Sequence, residues 1–177
     1  MKLNSFAATI GALSLFGAFL GFMQIFLTFT GFAVFLPPPT VAILTQLGLQ
    51  QGTLAFASTL FIVSILIFPL FEELLFKVVF ITIIDIFVNP FFSVLAASIL
   101  FMFYHLFAYT GILVENVQGN IAELLFSSGS FVTAFFYMFF TGLIFVSLDR
   151  LSLPKYLTVI PFIVGHAILN FYILFFL

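Results

Sequence analysis

Long apolar stretches alternate along this chain with short polar ones, and each apolar stretch is long enough to cross a membrane. A spanning helix needs about 20 mostly apolar residues, and five segments supply them. The first runs from Leu3 to Leu36, where Pro37, Pro38 and Pro39 stop it, because proline lacks the amide donor and clashes with the preceding turn. Thr40 to Gly52 is a polar-interrupted connection that predicts a short interfacial helix. The second span runs from Leu54 to Ile84 with Pro69 inside it, and Asp85 to Pro90 forms a turn. The third covers Phe91 to Tyr109, and a polar loop from Thr110 to Ser130 carries Glu115 and Glu123. The fourth is Phe131 to Leu148, the charged turn Asp149 to Lys155 follows, and the fifth runs from Thr158 to Leu177. The pattern predicts an all-α, polytopic transmembrane bundle of about five helices. Residues 1–177 read as a single membrane domain, with 3–36 as a first anchor helix and 54–177 as the core. The opening stretch outruns the apolar region of a signal peptide, about 7–15 residues, so a retained helix is expected.

Composition identifies the solvent. The chain has 177 residues, 64% of them hydrophobic and 6% charged, whereas a soluble domain carries about 25% charged residues. Lipid must therefore cover most of the surface, and membrane lipids are the first expected partners. Four Lys and Arg and a net charge of −2 leave no basic footprint for nucleic acid. The absence of cysteine excludes disulfides, thiol chemistry and cysteine metal sites. With five spans, Lys2, Arg150 and Lys155 share one side, while the opposite loop holds Glu115 and Glu123 and no basic residue. That bias predicts a cytoplasmic amino terminus in a multi-pass protein of the cell membrane. Gly17 and Gly21 form a GxxxG spacing that lets another helix approach closely, with internal packing favoured over self-association.

The scarce polar residues within the spans carry the candidate chemistry. Charge at mid-membrane costs roughly 2.5–3.5 kcal/mol per residue and points to function by default. Glu72, Glu73 and Lys77 lie on the second span, His105 on the third, His166 and Asn170 on the fifth. Counting a helical rise from Ile84, Phe91 and Thr158 puts Glu72 about 18 Å, His105 about 21 Å, His166 about 12 Å and Asn170 about 18 Å from a common membrane face. A shared depth is what one polar cluster needs. Glu73 and Lys77 are four residues apart and can pair, which leaves Glu72 without a local partner. His166 and Asn170 also share a face. Pro69 removes a helical hydrogen bond just before the glutamates, an irregularity that opens the backbone towards a water-filled cavity at this depth.

Three motifs, in order on successive spans, resemble a known family. Glu72-Glu73-Leu-Leu-Phe-Lys77 looks like EExxxR, Phe101-Met-Phe-Tyr-His105 matches FxxxH, and His166-Ala-Ile-Leu-Asn170 matches HxxxN. Together they resemble the CPBP family, the CAAX-protease and bacteriocin-processing (Abi) proteins, which include the type II CAAX prenyl endopeptidases. The resemblance covers Leu54 to the carboxyl terminus. It departs from the family at Lys77, where arginine is usual; lysine keeps the charge and loses the bidentate fork. The resemblance implies a glutamate-dependent intramembrane endopeptidase acting on a peptide or lipidated protein. Glu72 would activate water, His105 would help hold it, His166 and Asn170 would stabilise the oxyanion, and Glu73 would serve with Lys77 in support. Phe101 enters through its motif. No cofactor is implied.

Plainer readings compete at each position. Glu72 and Glu73 could be a structural ion-paired set, and Asn170 interhelical glue. Glu, His and His are typical zinc ligands, but the HExxH spacing is absent. The alternative function is a non-catalytic membrane interaction or bacteriocin-immunity protein of the same fold. A proton relay or transporter is a third, disfavoured by the lack of an internal repeat.

Overall fold

The computed structural model describes residues 3–30, 44–113, 130–151 and 153–176. Five long helices account for most of them: α1 Leu3–Phe29, α2 Leu54–Asp85, α3 Pro90–Leu113, α4 Ser130–Asp149 and α5 Ile160–Phe176, the last preceded by a single turn, Lys155–Thr158. No strand occurs among the described residues. The all-α bundle expected from the hydropathy pattern is the fold observed. By length and composition α1, α2, α4 and the stretch Lys155–Phe176 can each cross a membrane, and α3, at 24 residues, exceeds the spanning length of about 20.

Burial is inverted relative to a water-soluble protein. Lys77, Ser64, Ser93, Ser98 and Thr158 are fully buried, while Phe19, Phe22, Phe26 and Phe29 of α1 and Phe136 and Phe140 of α4 are exposed. Apolar side chains outside and polar ones inside is the arrangement that hydrocarbon solvent favours. The large exposed share of phenylalanine is thereby explained as lipid-facing surface. Inside, Phe76, Phe101, Met138, Phe145 and Phe162 join α2, α3, α4 and α5 in one apolar core.

One boundary differs from the sequence expectation. α3 continues to Leu113, so four residues of the expected loop are helical; Ile112 and Leu113 extend the apolar run past Thr110 and Gly111. The rest of that loop, with Glu115 and Glu123, and the end of the first span with Pro37 to Pro39 lie outside the described residues. Of the connection Thr40 to Gly52, residues 40–43 lie outside the described residues; 44–46 are helical, followed by tight turns in which Gly48 and Gly52 have φ of 84° and 83°. Such values suit glycine because it has no Cβ.

α2 is the least regular helix. Two π-helical stretches, Ile62–Ile67 and Leu74–Ile81, flank an α-helical segment, Phe68–Glu73, that begins with Pro69 at its second position. At 32 residues an ideal α-helix would be about 48 Å long, against about 30 Å of hydrocarbon. The wider π turns hold more residues per turn and shorten it. π insertions in helices are frequent at functional sites, and here they bracket Glu72 and Glu73.

α1 packs along α5, and the GxxxG glycines make the contact. A Cβ on Gly17 would sit 2.5 Å from the Pro161 carbonyl oxygen, and one on Gly21 would sit 2.9 Å from that of Gly165. Rising numbers meet rising numbers, so the two helices are parallel. Lys155 Nζ donates to Thr82 Oγ1 at 3.0 Å, which ties the turn before α5 to the end of α2. The start of α1, the Asp85 turn and the Asp149–Lys155 turn therefore lie at one end of the bundle. Asp149 and Lys155 form a half-exposed pair at 3.7 Å, of the kind worth little to stability.

Candidate functional site

Glu73 is the hub of the buried polar cluster. Its Oε2 pairs with the Lys77 ammonium one turn along α2. Its Oε1 accepts from Tyr137 Oη of α4 at 2.5 Å and faces His166 Nδ1 of α5 at 3.0 Å. Three donors from three helices thus occupy this carboxylate, and its side chain is only 1% exposed.

Lys77 is fully buried. Its ammonium lies 3.6 Å from Met138 Sδ, 5.2 Å from the centre of the Tyr137 ring and 4.9 Å from that of Phe162. A compact point charge fits a box of ring faces and a thioether, with cation–π attraction replacing part of its lost hydration. The pairing with Glu73 that the i,i+4 spacing predicts is present.

His166 bridges the two glutamates. With Nδ1 against Glu73, its Nε2 lies 3.5 Å from Glu72 Oε2. Both ring nitrogens thus face carboxylate oxygens, which can only accept hydrogen bonds when ionised. Among the described residues this is the one ion-pair or hydrogen-bond contact of Glu72. The side chains of Glu72 and His166 are each 10% exposed, against 1% for Glu73. The adjacent glutamates thus have different environments: one saturated and sealed, the other lightly held and partly accessible. The second glutamate, which no residue on its own helix neutralises, finds its partner on α5.

His105 sits on α3 with Nδ1 3.1 Å from the Phe101 carbonyl one turn back. Its ring rests against that of Phe101, centroids 4.2 Å apart, and meets Tyr104 edge-on at 5.3 Å. Phe101 in turn packs edge-on against Phe76 at 4.8 Å, so the FxxxH pair is wedged against the helix that carries the glutamates. A carbonyl on Nδ1 implies that Nδ1 bears the proton and that Nε2 can accept. Glu72, His166 and Glu73 are near enough to act on His105 electrostatically.

Asn170 Nδ2 donates to the Ser64 carbonyl oxygen at 2.9 Å, across 106 residues of sequence. The shared-depth estimate is corrected here. Asn170 reaches eight residues beyond Glu72 along α2, not level with it. A constant rise per residue fails because the π stretch Leu74–Ile81 lies between Ile84 and Glu72 and shortens that part of α2.

Three participants had no sequence signal of the kind charge provides. Tyr137 lies in the middle of α4, away from the membrane interfaces that tyrosine prefers, and a buried tyrosine hydroxyl seeks a partner; that position was the available clue. Gln24 of α1 is buried, and its side chain lies beside Tyr137. Its Oε1 has no hydrogen-bond partner among the described residues. The first helix, outside the family resemblance, is therefore part of the site. Ser64 enters through its main chain alone. Among the described residues no three His, Asp or Glu side chains group as metal ligands would. No family model, curated protein or solved structure matches the chain.

Proposed function

We propose that this chain is an intramembrane endopeptidase of the glutamate type, similar to the CAAX proteases, acting on a peptide or lipidated protein near one membrane face. The observation that supports it most is the division between the adjacent glutamates. Glu73 is spent on structure through Lys77, Tyr137 and His166, whereas Glu72, less deeply buried, has among the described residues a single ion-pair or hydrogen-bond contact, to His166 Nε2.

In this reading Glu72 takes a proton from a water molecule as the water oxygen attacks the scissile carbonyl carbon. His105 Nε2 accepts the second water hydrogen and holds the nucleophile. The carbonyl oxygen becomes an oxyanion, met by an N–H of the His166 ring. Collapse breaks the C–N bond, and the proton on Glu72 passes to the leaving nitrogen, giving a carboxylic acid and an amine. Positioned acid–base catalysis contributes about 10²–10⁴-fold, and an oxyanion donor about 2.7–4 kcal/mol.

The test is to coexpress the protein with membrane-anchored reporter peptides, with and without a lipidated carboxyl terminus, and to follow release of the cleaved fragment. The wild-type chain cleaves at least one reporter. Glu72→Gln lowers the rate by about 10²-fold or more while the protein remains folded in the membrane. Unchanged cleavage in Glu72→Gln defeats the assignment.

One observation favours a second reading, a non-catalytic membrane interaction or immunity protein. A carboxylate saturated by donors from three helices is also what a packing network looks like. That reading predicts that any protective or binding phenotype survives Glu72→Gln.

A further inference from the structure

The contact between Asn170 and Ser64 has a cause in the backbone of α2. Where the π stretch Ile62–Ile67 ends, its cap, Phe68 N–H, donates five residues back to the Val63 oxygen. One residue on, the same register would direct the amide of residue 69 to the Ser64 oxygen. Residue 69 is proline and has no amide hydrogen. Ser64 and Pro69 are buried, and at this depth no bulk water can supply the donor. Asn170 Nδ2 occupies that role at 2.9 Å.

We propose that Asn170 is a positioning residue whose side-chain amide replaces the backbone amide that Pro69 lacks. This deepens the endopeptidase reading and rests on it only for the catalytic consequence. Asn170 and His166 are four residues apart on one face of α5, so α5 grips α2 at two heights. Asn170 holds the Ser64 carbonyl, and one turn back His166 meets Glu72 and Glu73. The upper grip sets how far α5 slides along α2, and that setting delivers the two imidazole nitrogens to the two carboxylates. The HxxxN spacing is then a ruler. Its asparagine acts through the main chain of α2, with the oxyanion left to imidazole.

A double-mutant cycle separates positioning from an oxyanion role. In the wild-type background Asn170→Ala lowers the folding equilibrium constant in detergent or bilayer by roughly three- to twentyfold, the range of interhelical hydrogen bonds. Pro69→Ala restores an amide to the register, so in that background Asn170→Ala changes the constant by less than about twofold. Cleavage, where it is measurable, follows the same pattern: a loss in Asn170→Ala that Pro69→Ala largely restores. An oxyanion donor predicts instead the same loss, about 10²–10³-fold in kcat, in both backgrounds. Equal costs of Asn170→Ala in the two backgrounds, in stability and in turnover, overturn the proposal. Should Pro69→Ala fail to fold, isotope-edited infrared of a ¹³C-labelled Ser64 carbonyl decides it. The amide band shifts to higher frequency in Asn170→Ala, and an unshifted band overturns the proposal. The stability and infrared readouts need no substrate, so failure of the endopeptidase reading leaves them standing, and their failure leaves that reading untouched.

Discussion

At the scale of single residues, energetic cost decides what can be read. Glu72, Glu73, Lys77, His105, His166 and Asn170 stand out because an ionisable or amide group in hydrocarbon must be compensated. Tyr137 and Gln24 do not stand out, since neither is charged and both occur in many packing roles. Lys77 shows how strongly the cluster depends on its cation. Glu73 keeps Tyr137 and His166 without it, but a carboxylate that is 1% exposed then lacks its neutralising charge. Lys77→Met is expected to destabilise the bundle by about 3–5 kcal/mol, the cost of breaking a buried pair from one side. The double change Glu73→Gln with Lys77→Met recovers most of that loss, because no bare charge remains. Unfolding of the purified protein in mixed micelles measures both, and a double variant no more stable than Lys77→Met alone contradicts the account.

At the scale of helices, the spans follow from hydropathy but their pairing does not. Five apolar helices can be arranged in many ways, because lipid tails are as apolar as the side chains and give no preference. The small residues supply one. Gly17 lies against the Pro161 backbone with no room for a Cβ, while nothing lies within 4 Å of a Cβ on Gly11 of the same helix. Gly17→Ala is therefore expected to loosen α1 from α5 and lower stability. Gly11→Ala is expected to be neutral or to gain up to about 1 kcal/mol from helix propensity. Opposite signs in the same unfolding assay support the α1–α5 interface; equal effects count against it. The internal fit also means that the GxxxG face is used within the chain. α2 carries the element-level surprise. Proline inside a span predicts an irregularity, but two π stretches bracketing the glutamates are settled by what α3 and α5 press against them.

At the scale of the whole molecule, the parallel pairing of α1 with α5 and the Lys155–Thr82 bond put the start of α1 and both short turns at one end of the bundle. Arg150 and Lys155 belong to that end, and its placement in the cytoplasm, the expectation from the basic bias of the sequence, is open to a direct test. The chain has no cysteine, so single cysteines at Ser5, Asn89 and Leu151 can be labelled without background. All three should react with a membrane-impermeant reagent only after the cell interior is opened. Labelling of Asn89→Cys from outside intact cells would show the orientation, or the number of crossings, to be otherwise.

Hydropathy alone determined that lipid is the solvent, that the fold is helical and that the costly side chains fall in three places on the chain, since each of these depends on local composition and on a rise per residue. Only the tertiary structure decided that His166 divides its two nitrogens between Glu72 and Glu73, that Asn170 reaches Ser64, and that Tyr137 and Gln24 close the network. Those contacts join residues far apart in sequence. Their geometry depends on π turns that change the rise of α2 and on how deeply glycine lets α1 and α5 approach, and neither quantity is a property of any one segment.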